Sequence, residues 1–206
     1  MIHLNEGGGG PPPEKKFHGG PSRLLKLTLT VEGCQPPIWR LLVVSDALWL
    51  SDLSEAIQIA FGWYDYQTHA FRIGKTLYGN PFKRDDFLVE DDRNLTLADL
   101  DLATAGTLHY DYHFGEGWSV KINIEPAGFE GVDDVPVCLA GERAGPPEDC
   151  GGPEAYRDMV ECLKEPYTQL GREWLDWLGG EYDPEKCDLD AINKALSEIV
   201  PDEPED

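Results

Sequence analysis

Apolar and polar positions alternate cleanly from Leu24 to Val31: Leu25, Leu27, Leu29 and Val31 share one face, Lys26, Thr28 and Thr30 the other. A period of two predicts a half-buried strand. Gly33–Pro37 reads as a turn, and Ile38–Val44 as a second, more continuously apolar strand, so the two predict a hairpin. The period then lengthens. Leu53, Ala56, Ile57, Ala60 and Phe61 recur as the inward stripe of a helix. Ser51 is the expected cap, Asp52 and Glu55 suit the first turn, and Gly62 suits the end.

Further on, His69–Ile73 and Thr76–Tyr78 predict two short strands across a Gly74-Lys75 turn. Residues 79–94 read as a charged loop, and 96–102 as a helical turn or two. Thr107–Phe114 and Trp118–Glu125 predict the clearest hairpin, joined by Gly115-Glu116-Gly117. Residues 126–152 read as one long loop rich in glycine, proline and acids, the kind of segment that often carries function. Three helices follow. One opens at Pro153 and stops before Pro166, one is capped by Thr168, and one is capped by Asp188. Strands first and helices last predict an α+β single domain: a largely antiparallel sheet of about five or six strands with helices packed on one face. Residues 1–22 read as a disordered Gly/Pro-rich tail, 23–200 as the domain, and 201–206 as an acidic tail.

Composition sharpens the functional side. The 206 residues carry 17 basic and 39 acidic side chains, a net charge of −22. Such a chain repels phosphate backbones and anionic membranes, so direct nucleic-acid binding and membrane association are not expected. No apolar run reaches the ~20 residues of a membrane span. The five cysteines are scattered, with no C-x-x-C pair, which predicts free thiols and a cytoplasmic location.

The densest chemistry lies in Gly145-Pro146-Pro147-Glu148-Asp149-Cys150-Gly151-Gly152. Proline fixes φ and glycine frees it, so this is a loop of set shape. Glu148 and Asp149, with Glu116 and His113 on the hairpin turn, are candidates for acid–base catalysis. Adjacent acids before a helix also serve structure, by accepting backbone N–H bonds, and that reading is preferred here. It gives the structural bond to Asp149 and leaves Glu148 as the functional candidate. Tyr64, Tyr66, Trp118 and Glu148 are candidate ligand contacts, against the plainer view that aromatics on strands are core. Cys138, Cys150 and His113 could meet around a metal, but Cys138 and Cys150 lie twelve residues apart and unpaired, so neither metal nor cofactor is expected.

The blocks Pro37-Ile38-Trp39-Arg40, Phe61-Gly62-Trp63, His69-Ala70-Phe71-Arg72-Ile73, Pro146–Gly152 and Trp177-Leu178-Gly179-Gly180, in this order, resemble the plasmid pRiA4b ORF-3-like family. The resemblance implies a compact α+β domain and an association with mobile DNA elements, and no defined reaction. It also marks departures. His113-Phe114-Gly115-Glu116 stands where the family has Asp-Phe-Gly-Asp, Val120 where it has a histidine, and Gly145 where it has a cysteine. Three readings follow. The chain is a binding or regulatory module recognising a protein or small ligand through residues 138–152 and 113–118; or a hydrolase using Glu148, Asp149, Glu116 and His113; or an accessory protein of a mobile DNA element.

Overall fold

The computed structural model describes residues 23–64, 67–81, 89–100, 106–114, 117–128 and 135–199. The expected tails, Tyr66 and Glu116 lie outside them. Strands β1 (Leu24–Val31) and β2 (Ile38–Ser45) form the predicted antiparallel hairpin. Helix α1 (Leu50–Phe61) follows. Then come β3 (His69–Ile73), β4 (Thr76–Gly79), β5 (Glu90–Asp91), β6 (Gly106–Tyr112), β7 (Trp118–Pro126) and β8 (Val137–Glu142). Helices α2 (Gly152–Leu163), α3 (Gln169–Trp177) and α4 (Leu189–Leu196) complete the described chain.

The described strands form one eight-stranded sheet in the order β5-β4-β3-β6-β7-β1-β2-β8, antiparallel except for the parallel β4–β5 pair. The α+β class stands, with more strands than the five or six expected. The longer of the additional strands is β8, an edge strand inside the segment read as a loop. Its pairing with β2 shifts register between Leu41 and Leu42, so Leu139 is an extra residue that breaks the alternation a strand should show. β5 and a 3-10 turn at Asp92–Asn94 likewise interrupt the expected charged loop.

The sheet's inner face is apolar for the reason the alternation gives. Leu25, Leu27, Leu29, Val31, Tyr110, Tyr112, Val120 and Ile122 are almost fully buried there. Leu53, Ala56, Ile57 and Ala60 of α1, Tyr156 and Met159 of α2 and Leu196 of α4 belong to the same core. The opposite face carries Thr28, Thr30, Lys121 and Asn123, facing water as one-sided antiparallel sheets do. Burial of this apolar area is the main stabilising force, at roughly 25 cal/mol per Å².

Caps follow the sequence with one correction. Thr168 accepts from the Gly171 N–H, and Asp188 from the Ala191 N–H, as expected. Ser51 does not cap α1. The helix begins two residues earlier, behind Trp49, and the Leu50 N–H bonds the Leu95 carbonyl, so tertiary structure satisfies the exposed helix end. Gly62 closes α1 in the left-handed conformation, its N–H reaching the Gln58 and Ile59 carbonyls.

One buried cation joins these pieces. Arg40 on β2 is 2% exposed. Its Nε donates to the Ala60 carbonyl at 2.8 Å, Nη1 to the Trp39 and Glu142 carbonyls at 2.8 and 3.0 Å, and Nη2 to the Arg143 carbonyl at 2.8 Å. The guanidinium also lies 5.2 Å from the Phe61 ring centroid. It therefore ties the last turn of α1 to the end of β8, and the chain leaving β8 runs directly against α1. Gly145 sits so close that a Cβ there would stand 1.8 Å from the Phe61 carbonyl oxygen. A cysteine side chain at this position would have no room in this packing.

Gly145→Ala should therefore cost about 3 kcal/mol or more of stability, since backbone on both sides must move. Urea unfolding measures this directly; a loss under about 1 kcal/mol contradicts the close approach.

Candidate functional site

With β8 and α1 bound through Arg40, residues 145–150 lie across the chain leaving α1. Trp63, three residues past Ala60, donates its indole N–H to the Pro146 carbonyl at 3.0 Å. Its ring stacks on Tyr112 at 4.7 Å and 5°. Tyr112 in turn donates its hydroxyl to Glu148 Oε1. The other oxygen, Glu148 Oε2, accepts the backbone N–H of Tyr64 at 3.0 Å. Trp63, Tyr112 and Glu148 thus form a clamp that fixes the loop to the sheet and to the 63–64 backbone. Tyr112 is fully buried, so its hydroxyl needs such a partner.

The expected backbone bond to an acid is present, but its donor comes from the segment after α1 rather than from the loop itself or the start of α2. It also falls on Glu148, where the sequence favoured Asp149. Asp149 stands outward, its side chain 62% exposed, with Oδ1 accepting from Gln67 Nε2 at 3.1 Å and lying 3.6 Å from His113 Nδ1. Asp149 and His113 both have positive φ, 62° and 49°. Aspartate and histidine tolerate that region better than most residues, so these two types suit two tight bends that face each other. Arg143, with φ of 68°, has no such tolerance and marks local backbone strain.

The structure thus brings His113, Glu148 and Asp149 together. Tyr64, 70% exposed, and Phe114, 37% exposed, flank them. Trp118 is a correction: at 1% exposure it is a core residue, with its ring 6.3 Å from those of Trp63 and Tyr156. The β6–β7 hairpin pairs it with Tyr112, and both point inward. Cys138 and Cys150 are buried. Among the described residues no group of three or more His, Cys, Asp or Glu side chains is arranged to hold a metal. Nor is any described helix long and apolar enough to cross a membrane.

The sequence marks Trp63 and Tyr112 only as aromatics of the kind favoured as core, and gives no sign of Gln67. The alternation of β6 could place Tyr112 inward, but nothing local told that its hydroxyl would reach Glu148, 36 residues on.

The two acids should separate on substitution. Glu148→Ala leaves the Tyr112 hydroxyl and the Tyr64 N–H without their acceptor and should cost about 1.5–3 kcal/mol. Asp149→Asn keeps the left-handed backbone tolerable and should change stability by less than about 0.5 kcal/mol. Thermal or urea unfolding of the two variants side by side gives the comparison; the reverse order contradicts the clamp.

Comparison with known proteins agrees with this architecture. The model of the plasmid pRiA4b ORF-3-like protein family matches residues 23–191. The uncharacterized protein y4hQ of Sinorhizobium fredii is 32% identical over 183 residues, covering 86% of this chain and 92% of the relative. A crystal structure of a protein of unknown function, MM3350 from Methanosarcina mazei Go1, is similar at a TM-score of 0.71 and 32% identity. That match covers 82% of this chain and 97% of the other. On the family match and the shared fold, the chain belongs to the plasmid pRiA4b ORF-3-like family.

Proposed function

We propose that the chain is a binding module, recognising a protein segment or small ligand that carries a positive charge. The surface is that of Tyr64, His113, Phe114 and Asp149. The observation that supports this best is the division of labour between the two loop acids. Both oxygens of Glu148 are engaged, by the Tyr112 hydroxyl and the Tyr64 N–H. That takes Glu148 out of an acid–base set and makes it the fixture of a recognition surface. Asp149 remains as an outward carboxylate 3.6 Å from His113 Nδ1, next in sequence to the acid that holds the backbone of the largely exposed Tyr64. A carboxylate next to aromatic faces suits a guanidinium or ammonium group, through charge and through attraction to the ring faces.

The net charge of −22 supports a basic partner and disfavours direct contact with nucleic acid. The fixed backbone also fits this role. A surface held by a buried clamp loses little freedom on binding, which favours affinity. The hydrolase reading keeps the His113–Asp149 contact but lacks a disengaged Glu148.

An array of arginine- and lysine-containing peptides, followed by titration of the best binder, tests the proposal. Tyr64→Ala and Asp149→Asn should each weaken binding about three- to thirty-fold without unfolding the protein, the range of a cation over an aromatic ring. A preference for acidic peptides, or binding by both variants as tight as by the wild type, contradicts it.

A further inference from the structure

Beside Arg40, the bulge at Leu139 brings two inward positions of β8 into succession. Cys138 pairs with Leu42, and Gly141 with Arg40. Gly141 leaves a gap in this row, and the thiol of Cys187 fills it. Cys187 Sγ lies 3.0 Å from where a Cβ on Gly141 would stand, and Arg40 Cδ lies 2.7 Å from the same point. The Cys187 sulfur and the Arg40 side chain therefore border the same gap over Gly141, in the row that Cys138 occupies.

We infer that Cys187 and Cys138 form a peroxide-sensitive thiol pair, in which Cys187 reacts first and Cys138 closes a disulfide. Four observations carry this. First, Arg40 is a buried cation whose hydrogen bonds go only to carbonyl oxygens, with no carboxylate partner among the described residues. Both sulfurs lie in its field. A sulfur gains negative charge as it attacks, and an adjacent guanidinium stabilises that charge. Second, access differs. Cys187 is half-buried and lines a cavity of about 400 Å³ with Pro36, Gly141, Glu142, Arg143 and Glu185, whereas Cys138 is 2% exposed. A small neutral oxidant meets Cys187 first.

Third, Cys138 is held in place. The Asn193 side chain of α4 accepts its N–H at 2.7 Å and donates to its carbonyl at 2.9 Å. Burial pushes the Cys138 thiol up, and Arg40 offsets part of that, which suits the second, resolving partner. Fourth, the other thiols are placed differently. Cys34 and Cys150 are buried in the core, and burial pushes Cys34 up to about 11. Cys162, half-buried on α2, serves as an internal reference.

The chemistry balances with hydrogen peroxide as oxidant. The Cys187 thiolate attacks one peroxide oxygen, the O–O bond breaks, and the departing hydroxide takes a proton to become water. Cys187 is then a sulfenic acid. The Cys138 sulfur attacks the sulfenic sulfur, and the S–O bond breaks. The second hydroxide takes the Cys138 proton and leaves as water. Two thiols lose two electrons and two protons, and the peroxide is reduced to two waters. The product ties β8 to the segment between α3 and α4. That segment also holds the recognition loop, because Tyr182 donates its hydroxyl to the Gly145 carbonyl at 3.0 Å.

The test is near-stoichiometric hydrogen peroxide added to the full chain, followed by alkylation and non-reducing peptide mass spectrometry. The expected product is one cross-linked pair containing Cys138 and Cys187, two hydrogens lighter than the separate thiol peptides. Cys187→Ser should abolish it. Cys138→Ser should leave a Cys187 sulfenic acid that dimedone traps. In the unoxidised protein, iodoacetamide should label Cys187 about tenfold faster than Cys162. A Cys34–Cys150 link, oxidation of Cys162 ahead of Cys187, or no cross-link in folded wild-type protein would each overturn the inference.

Discussion

A guanidinium sealed in a protein interior must find acceptors for its N–H groups, or the fold does not form. Arg40 meets that demand with four backbone carbonyls from three places: its own strand, the last turn of α1 and the end of β8. Charged donors on neutral carbonyls make stronger bonds than uncharged ones, with net contributions of about 1.5–3 kcal/mol each. The arrangement dictates its surroundings. The carbonyls at the end of α1 are drawn to the same point as those of residues 142–143, so the next stretch has to cross the helix end without side chains. Gly145 allows that crossing, and Gly141 leaves room for Arg40 and Cys187.

The recognition surface is the continuation of this constraint. Past the crossing, Pro146 receives the Trp63 indole, and Glu148 receives Tyr112 and Tyr64. Every partner in that set belongs to a segment fixed by the sheet or by α1. The chain turns sharply at Asp149, and the next residues enter α2 through Gly151 and Gly152, both at positive φ, with a proline in its first turn. A buried clamp beneath an outward acid and an exposed tyrosine is a division that suits binding: rigidity comes from Glu148, and contact from its neighbour.

Much of the fold was legible because local pattern and global packing agree. The period-two runs of β1, β6 and β7, the stripe on α1, the caps at Thr168 and Asp188 and the glycine after Phe61 all report interactions within a few residues. What was hidden depends on distant partners. β8 carries a bulge, so its alternation fails at Leu139. Ser51 looked like a cap because sequence cannot show that Leu95 already serves the helix end. Glu148 and Asp149 are adjacent and chemically alike, and their roles divide only through distant donors: Tyr112, 36 residues away on β6, and Tyr64 and Gln67, 84 and 82 residues away on the chain leaving α1. Arg40 read as part of a family block, with no sign that acceptors more than 100 residues on would gather around it.

The measurement that bears most directly on this account is hydrogen exchange in Arg40→Lys, under conditions where the variant remains folded. A lysine has one nitrogen and cannot span carbonyls lying in several directions. Amides of residues 60–64 and 141–150 should then exchange much faster than in the wild type, while those of the β1–β7–β6 centre keep their protection. Unchanged exchange in both of those segments would contradict the claim that one buried guanidinium holds the recognition loop to the fold.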